Sequence, residues 1–179
     1  MHWRTALRST DVAAVRALVA ATGFFSAEEQ SVAAELVTEA LSRGKASGYE
    51  FVFADMTHTP ARLLGYACFG PIPATLSSFD LYWIAVAPGK QRAGLGGALL
   101  LEAERLAKAQ GATQMFVDTA GREQYAPTRA FYERMGYRQA AVLDNFYAPG
   151  DAKVIYAKGL SESLCGPDRR ISTPQGNNS

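Results

Sequence analysis

Cysteine and histidine are scarce in this chain of 179 residues, with two of each. Cys68 sits in an apolar run and Cys165 in a polar tail, which excludes a disulfide framework. No His/Cys cluster stands at ligand spacing, so no metal site is expected, and the cysteine usage fits a reducing cytoplasm. His2 and His58 fall where exposure is expected, and neither is read as catalytic. No run approaches the roughly 18 apolar residues of a membrane span, and the N-terminus has no signal-peptide layout. A net charge of +1 gives no excess of either sign to hold nucleic acid or an anionic membrane. Two phosphate-binding signatures are also missing. There is no Gly-Lys-Ser/Thr, and Gly94-x-Gly96 has no further glycine three residues on. What remains is an ordinary globular composition, 48% hydrophobic and 20% charged, with length for one substantial core.

The most informative stretch runs from Asp80 to Gly97. Its first half, Asp80-Leu81-Tyr82-Trp83-Ile84-Ala85-Val86-Ala87, is a β-branched and aromatic strand stopped by Pro88-Gly89. Its second half is a glycine-rich loop that opens directly into the helix Ala98 to Ala107. A helix start reached through glycines presents unpaired N–H groups and a positive dipole end to an anion. Glycines at 94, 96 and 97 let the backbone approach closely, although Gly97 can equally serve close packing. A phosphate-bearing ligand is the first expectation.

In chain order, Trp3 to Leu7 reads as a strand and Asp11 to Ala21 as a helix. Ser26 to Glu29 is a capping-box pattern opening a second helix, with Val32, Leu36, Val37, Ala40 and Leu41 as its buried stripe. Phe24 and Phe25, between the helices, can line a substrate pocket or fill the core. Tyr49 to Asp55 and Leu63 to Phe69 form a hairpin before the central strand. Gln114 to Asp118 is a fifth strand, Pro127 to Met135 a short helix, and Arg138–Phe146 and Lys153–Lys158 close the domain. Arg129 and Glu133 stand at salt-bridge spacing on the short helix. Alternation from Asp80 puts Tyr82, Ile84 and Val86 on its face and selects Tyr82 over Trp83 to line a site. From Ser161 on, Ser, Gly, Pro and Asn dominate, so residues 161–179 are expected to be a disordered tail. The order β-α-α-β-β-β-α-β-α-β-β mixes hairpins with crossovers and predicts a mixed sheet.

Gln91-Arg92-Ala93-Gly94-Leu95-Gly96 resembles the acetyl-CoA loop of the GNAT N-acetyltransferase family. A second block, Ala130-Phe131-Tyr132-Glu133-Arg134-Met135-Gly136-Tyr137, matches that family's later helix and its Gly-aromatic exit. The resemblance spans Trp3 to Leu160 and so makes residues 1–160 one domain. It implies the α/β (α+β) acyltransferase fold, a mixed, mostly antiparallel sheet flanked by helices, with fourth and fifth strands splayed around the pantetheine arm. The cofactor would be acetyl-CoA, leaving as coenzyme A. The backbone of Ile84, Ala85 and Val86 would meet the pantetheine and acetyl carbonyl. The N–H groups from Gln91 through Arg92, Ala93, Gly94, Leu95 and Gly96 to Gly97 would meet the pyrophosphate, with the Arg92 or Lys90 side chain adding charge.

Tyr132 matches the family's general-acid tyrosine, and Asp80 matches its catalytic carboxylate, elsewhere a glutamate. The shorter aspartate would work through water. Tyr125 stands where many members carry an asparagine that contacts the cofactor. The acceptor would be a primary amine of a small molecule or peptide, with Phe24, Phe25 and Tyr82 lining its site. A lysine-like amine of pKa ~10.4 costs roughly 4.6 kcal/mol to deprotonate at pH 7, an α-amine near ~7.8 only about 1. Dimers are common among relatives, so a homodimer is compatible, though no stretch specifies one. The competing expectation is a non-catalytic acyl-CoA-binding or sensing module. A protein-modifying enzyme would instead show an open groove beside Asp80.

Overall fold

A seven-stranded sheet in the order β1-β2-β3-β4-β5-β7-β6 organises the chain. Its strands are β1 (His2–Arg4), β2 (Glu50–Met56), β3 (Thr59–Pro71), β4 (Ser78–Val86), β5 (Gln114–Ala120), β6 (Arg138–Ala148) and β7 (Asp151–Gly159). Four helices flank it: α1 (Asp11–Ala21), α2 (Ala27–Arg43), α3 (Leu95–Ala109) and α4 (Ala126–Arg134). Every neighbouring pair is antiparallel except β4 and β5, which run parallel. This computed structural model describes residues 1–160 apart from His58, Arg92 and the side chains of residues 59–61. The expectations for His58, Arg92, Cys165 and the tail lie outside the described residues. Among those described, no helix is long and apolar enough to cross a membrane, and no cluster of metal-ligating side chains forms.

The sheet divides the core in two. On one face α3 lays Leu99, Leu100, Ala103 and Ala107, all fully buried, against Leu81 of β4, Met115 and Val117 of β5 and Tyr156 of β7. On the other face α1 and α2 cover β2, β3 and part of β4 through Val15, Val19, Val37 and Ala40. No residue of β5, β6 or β7 belongs to that second cluster, so the α1/α2 layer stops at β4. Among the described residues, no helix covers that sheet face beyond it.

Two expectations about local structure need correction. The capping box is present, with Glu29 N donating to Ser26 Oγ and Ser26 N to Glu29 Oε2 at 2.7 Å, but the buried stripe of α2 is rotated. Ala33, Ala34, Val37 and Ala40 face inward, while Val32 and Leu41 are 46% and 39% exposed. The alanines admit close packing on α1, so small side chains take the contact line and larger ones are turned outward. The first strand ends at Arg4 rather than at Leu7.

Arg4 ends it because its guanidinium ties three segments together. It is bidentate to Asp11 of α1 at 2.8 and 2.9 Å, and its Nε reaches Asp55 of β2 at 3.0 Å. All three side chains are buried, and the guanidinium lies over the Phe53 ring at 4.3 Å. Removing the cation leaves two buried carboxylates under-compensated, Asp11 with the Arg8 backbone N–H at 2.7 Å and Asp55 with the Arg8 guanidinium at 3.4 Å. Arg4→Met is therefore expected to cost about 3–5 kcal/mol. Urea unfolding checks it: the midpoint falls while the m-value holds.

Candidate active site

The site starts where β4 and β5 part. They pair only at Ser78–Gln114, Phe79–Met115 and Asp80–Phe116, after which β4 has no partner on that side. Residues 81–86 thus present an open strand edge toward β5, while β3 continues to pair on the other edge as far as Val86. The splay expected between the fourth and fifth strands is present.

A bulge in β4 changes which side chains share a face. Cys68 pairs with Trp83 and Phe69 with Leu81, leaving Tyr82 as the extra residue. Phe79, Leu81, Ile84 and Val86 pack on the α3 side, whereas Tyr82, Trp83 and Ala85 pack on the α1/α2 side. Asp80 and Tyr82 therefore do not share a face with Ile84 and Val86, because one inserted residue shifts the period-two alternation. Alternation does not choose Tyr82 over Trp83 either; both line the cavity. Tyr82 stacks edge-on to Tyr49 at 5.2 Å, and its phenol is pushed up to about 12, by burial first and then by the Asp80 charge.

Between the strands opens a cavity of about 1200 Å³. Its walls include Ile84, Ala85 and Val86 of the open edge, Gln91 and Gly94, Gly96 and Gly97 at the start of α3. Gly94 is the N-cap of α3 at φ +78°, a left-handed conformation that a side chain makes costly, and it offers no side-chain cap. The first-turn N–H groups are left to a ligand or to water. A Cβ at Gly97 would make ordinary contact with Met135 Sδ, just past α4, at 3.5 Å. Ala93 and Leu95 instead line a smaller cavity of about 420 Å³ with Lys90 and Met56.

The segment joining α1 to α2 roofs the cavity. Gln124 donates to Phe24 O at 2.9 Å, and the Tyr125 hydroxyl donates to Glu29 Oε1 at 3.0 Å. The Phe24 ring meets Tyr125 at 4.7 Å and Phe25 meets Trp83 at 5.0 Å. Phe24, Phe25, Glu29 and Tyr125 all line the cavity. Tyr125 is pushed up to about 12 by burial, with the Glu29 hydrogen bond adding to it.

Tyr132 reaches the cavity from α4, is only 4% exposed, and makes no side-chain hydrogen bond among the described residues. Burial raises its pKa well above the usual phenol value. The expected Arg129–Glu133 pair does not form. Arg129 instead donates to Ala120 O at 2.8 Å and Arg122 O at 3.0 Å, and Glu133 accepts from Tyr156 at 2.9 Å. The guanidinium is drawn to carbonyls left over where β5 ends, and so clamps α4 to the mouth of the gap.

Asp80 is half-buried and lies outside the cavity lining. Asp118, two residues beyond its strand partner Phe116, lines the cavity and pairs with Lys153. Burial chiefly, and then the Asp118 charge, raises the Asp80 carboxyl above its ordinary value, with Lys153 opposing. Asp151, paired through Oδ2 with Arg122 Nε at 3.1 Å, and the half-exposed Tyr147 complete this end. Sequence reading passed over Glu29, Asp118, Tyr147 and Asp151. Glu29 was absorbed by its capping role and Asp151 by its turn. Asp118 carried a legible signal, a carboxylate alternating with the inward Met115 and Val117 beside the splay.

Residues 46–139 match the model of the acetyltransferase (GNAT) domain, just over half of the chain. A GNAT-family protein from Desulfovibrio desulfuricans is 48% identical, with 89% of this chain and 99% of that one covered at a TM-score of 0.86. The chain belongs to the GNAT acetyltransferase family. More distant structures share the fold. An aminoglycoside 6'-N-acetyltransferase complexed with coenzyme A is 17% identical, covering 94% and 100% of the two chains at TM-score 0.71. The ribosomal-protein-S18-alanine N-acetyltransferase of Escherichia coli is 21% identical, covering 96% and 99% at 0.68. No curated protein sequence matches the chain.

The raised Asp80 carboxyl has a consequence for stability. In the window between its unfolded value, near 3.8, and its higher folded value, the native state holds more proton. Stability contributed by this group is therefore lost as pH rises through that window. Asp80→Asn is expected to stabilise the protein at neutral pH and to change nothing below the unfolded value. Urea titrations at pH 7 and pH 3 compare the two.

Proposed function

We propose that this chain transfers an acetyl group from acetyl-CoA to a primary amine of a small molecule or peptide by direct attack in a ternary complex. The observation that carries the reading is one continuous cavity joining three features: an open strand edge, an uncapped glycine helix start and a buried tyrosine. The edge at Ile84 to Val86 has the spare backbone donors and acceptors that an amide-bearing arm pairs with, as an added strand would. The start of α3 supplies N–H groups and a positive dipole for a diphosphate. Gly96 and Gly97 let that diphosphate lie against the backbone, and a coenzyme A arm has this length and chemistry.

Acetyl-CoA supplies an activated acyl group, and the acceptor nitrogen displaces the thiolate. The acceptor must first lose a proton, and the departing sulfur must gain one. In this reading Tyr132, in the cavity wall, gives it. A phenol near ~10 and a thiol near ~8.5 differ by about 2 kcal/mol. The burial that raises Tyr132 also raises any thiolate in the same apolar cavity, so the gap does not widen in proportion. Asp80 serves the amine through water, since it stands back from the cavity. Cys68 is fully buried in the α1/α2 core with its thiol pushed well up, outside the cavity, which supports direct attack over an acyl-cysteine route.

A second reading, a non-catalytic acyl-CoA-binding module, is favoured by the burial of Tyr132 and by the retreat of Asp80 from the cavity. Two measurements separate them. Tyr132→Phe is expected to lower kcat about 100-fold while calorimetric affinity for coenzyme A is unchanged. Coenzyme A binding with no free thiol over a broad amine panel leaves the binding module, whereas thiol release that Tyr132→Phe does not slow removes Tyr132 as the acid and keeps the enzyme. Replacing Gly94 and Gly96 by valine is expected to weaken coenzyme A at least about tenfold, through backbone strain at the first and bulk at the second. Intact affinity would end both readings.

A further inference from the structure

We propose that the acceptor enters over the uncovered face of β5 and β7, where Glu29, Asp118 and Asp151 gather around Tyr147, and that this mouth selects amines carrying a second positive charge and no carboxylate. The inference rests on the acetyl-transfer reading and names the class of acceptor for it.

The three carboxylates come from α2, β5 and β7, yet all stand in the wall of one cavity with Tyr147. The register puts Asp118 opposite Ile155, so Lys153, two residues away on β7, lies diagonally across on the same face and pairs with it. Tyr147, half-exposed in the same wall, has its phenol raised by burial first and then by Asp118, Asp151 and Glu29, with Lys153 opposing. This part of the wall holds three carboxylates, Glu29, Asp118 and Asp151, with Arg122 paired to Asp151 and Lys153 to Asp118. Among the described residues, Glu29 is held by neutral donors, Ser26 N and Tyr125 Oη.

Asp151 points independently to a missing donor. The residue is 8% exposed, and its Oδ1 is buried without a hydrogen-bond partner among the described residues. A buried carboxylate oxygen left bare is costly, and an arriving ammonium offers the donors and charge that relieve it. Elsewhere in the same cavity wall the Phe25, Trp83 and Tyr147 rings offer methylene chains apolar contact and a cation an aromatic face. An acceptor bearing a carboxylate would bring like charge into this wall.

Three molecules of similar length separate the alternatives: 1,5-diaminopentane, pentylamine and 5-aminopentanoate. Each is titrated calorimetrically into the coenzyme A-loaded protein, and each is offered with acetyl-CoA while thiol is followed. Affinity and kcat/KM are expected to fall about tenfold from the diamine to the monoamine, and about tenfold again to the amino acid. Asp118→Asn and Asp151→Asn should each compress those ratios, while Glu35→Gln on the exposed side of α2 keeps them. A diamine bound no better than 5-aminopentanoate overturns the proposal. So does an order that survives both asparagine variants, or a failure of all three molecules to bind. The expected order in binding without thiol release keeps the cation-selecting mouth and removes the transfer reading. Thiol release with a flat order does the reverse.

Discussion

Beyond Asp80 and Phe116, two parallel strands stop exchanging hydrogen bonds, and most of the site follows from that separation. A buried strand edge without a partner is unfavourable for each unpaired N–H and C=O, so the gap persists only because other contacts hold it open. On one side the bulge at Tyr82 twists β4 and packs Tyr82 and Trp83 into the α1/α2 layer. On the other, Arg129 ties the end of β5 to α4, and the full β5–β7 ladder keeps β5 from closing back. The cavity between them is a place where the backbone is left to be completed by a ligand.

The sheet's two faces then divide the labour. The α3 side is packed from β2 to β7 and holds the elements proposed to grip the carrier: the glycine turn, the open edge and Tyr132. The opposite side is covered only as far as β4, and its open remainder brings charge and aromatic rings to the far end of the same cavity. In the proposed reading one frame serves two entrances, with the carrier approaching along the glycine turn and the acceptor over the other sheet face. An open face beside Asp80 fits a peptide acceptor as readily as a small one.

Much of this was legible in the residues. Strand, glycine turn and helix could be read from Asp80 to Gly97 because glycine and proline punctuate that stretch so densely. Twelve of the sequence-expected site residues, including Phe24, Tyr125, Tyr132 and Gly96, stand in the cavity wall. What escaped was non-local. The Tyr82 bulge is set by how β3 registers against β4, and no residue type announces it. The partners of Arg129 were misjudged because helical spacing names a neighbour but not the competing carbonyls of another strand. The rotation of α2 came from its packing against α1, which periodicity alone does not weigh against side-chain size.

Glu29 joins two of these levels. One carboxylate oxygen takes the Ser26 N–H that closes the first turn of α2, and the other takes the Tyr125 hydroxyl that fastens the roof of the cavity. Evolution therefore cannot retune this wall at position 29 without loosening the helix behind it. Drift toward new acceptors should be channelled to Asp118 and Tyr147, whose side chains carry no such double duty, leaving Glu29 a fixed hinge pin around which specificity diversifies.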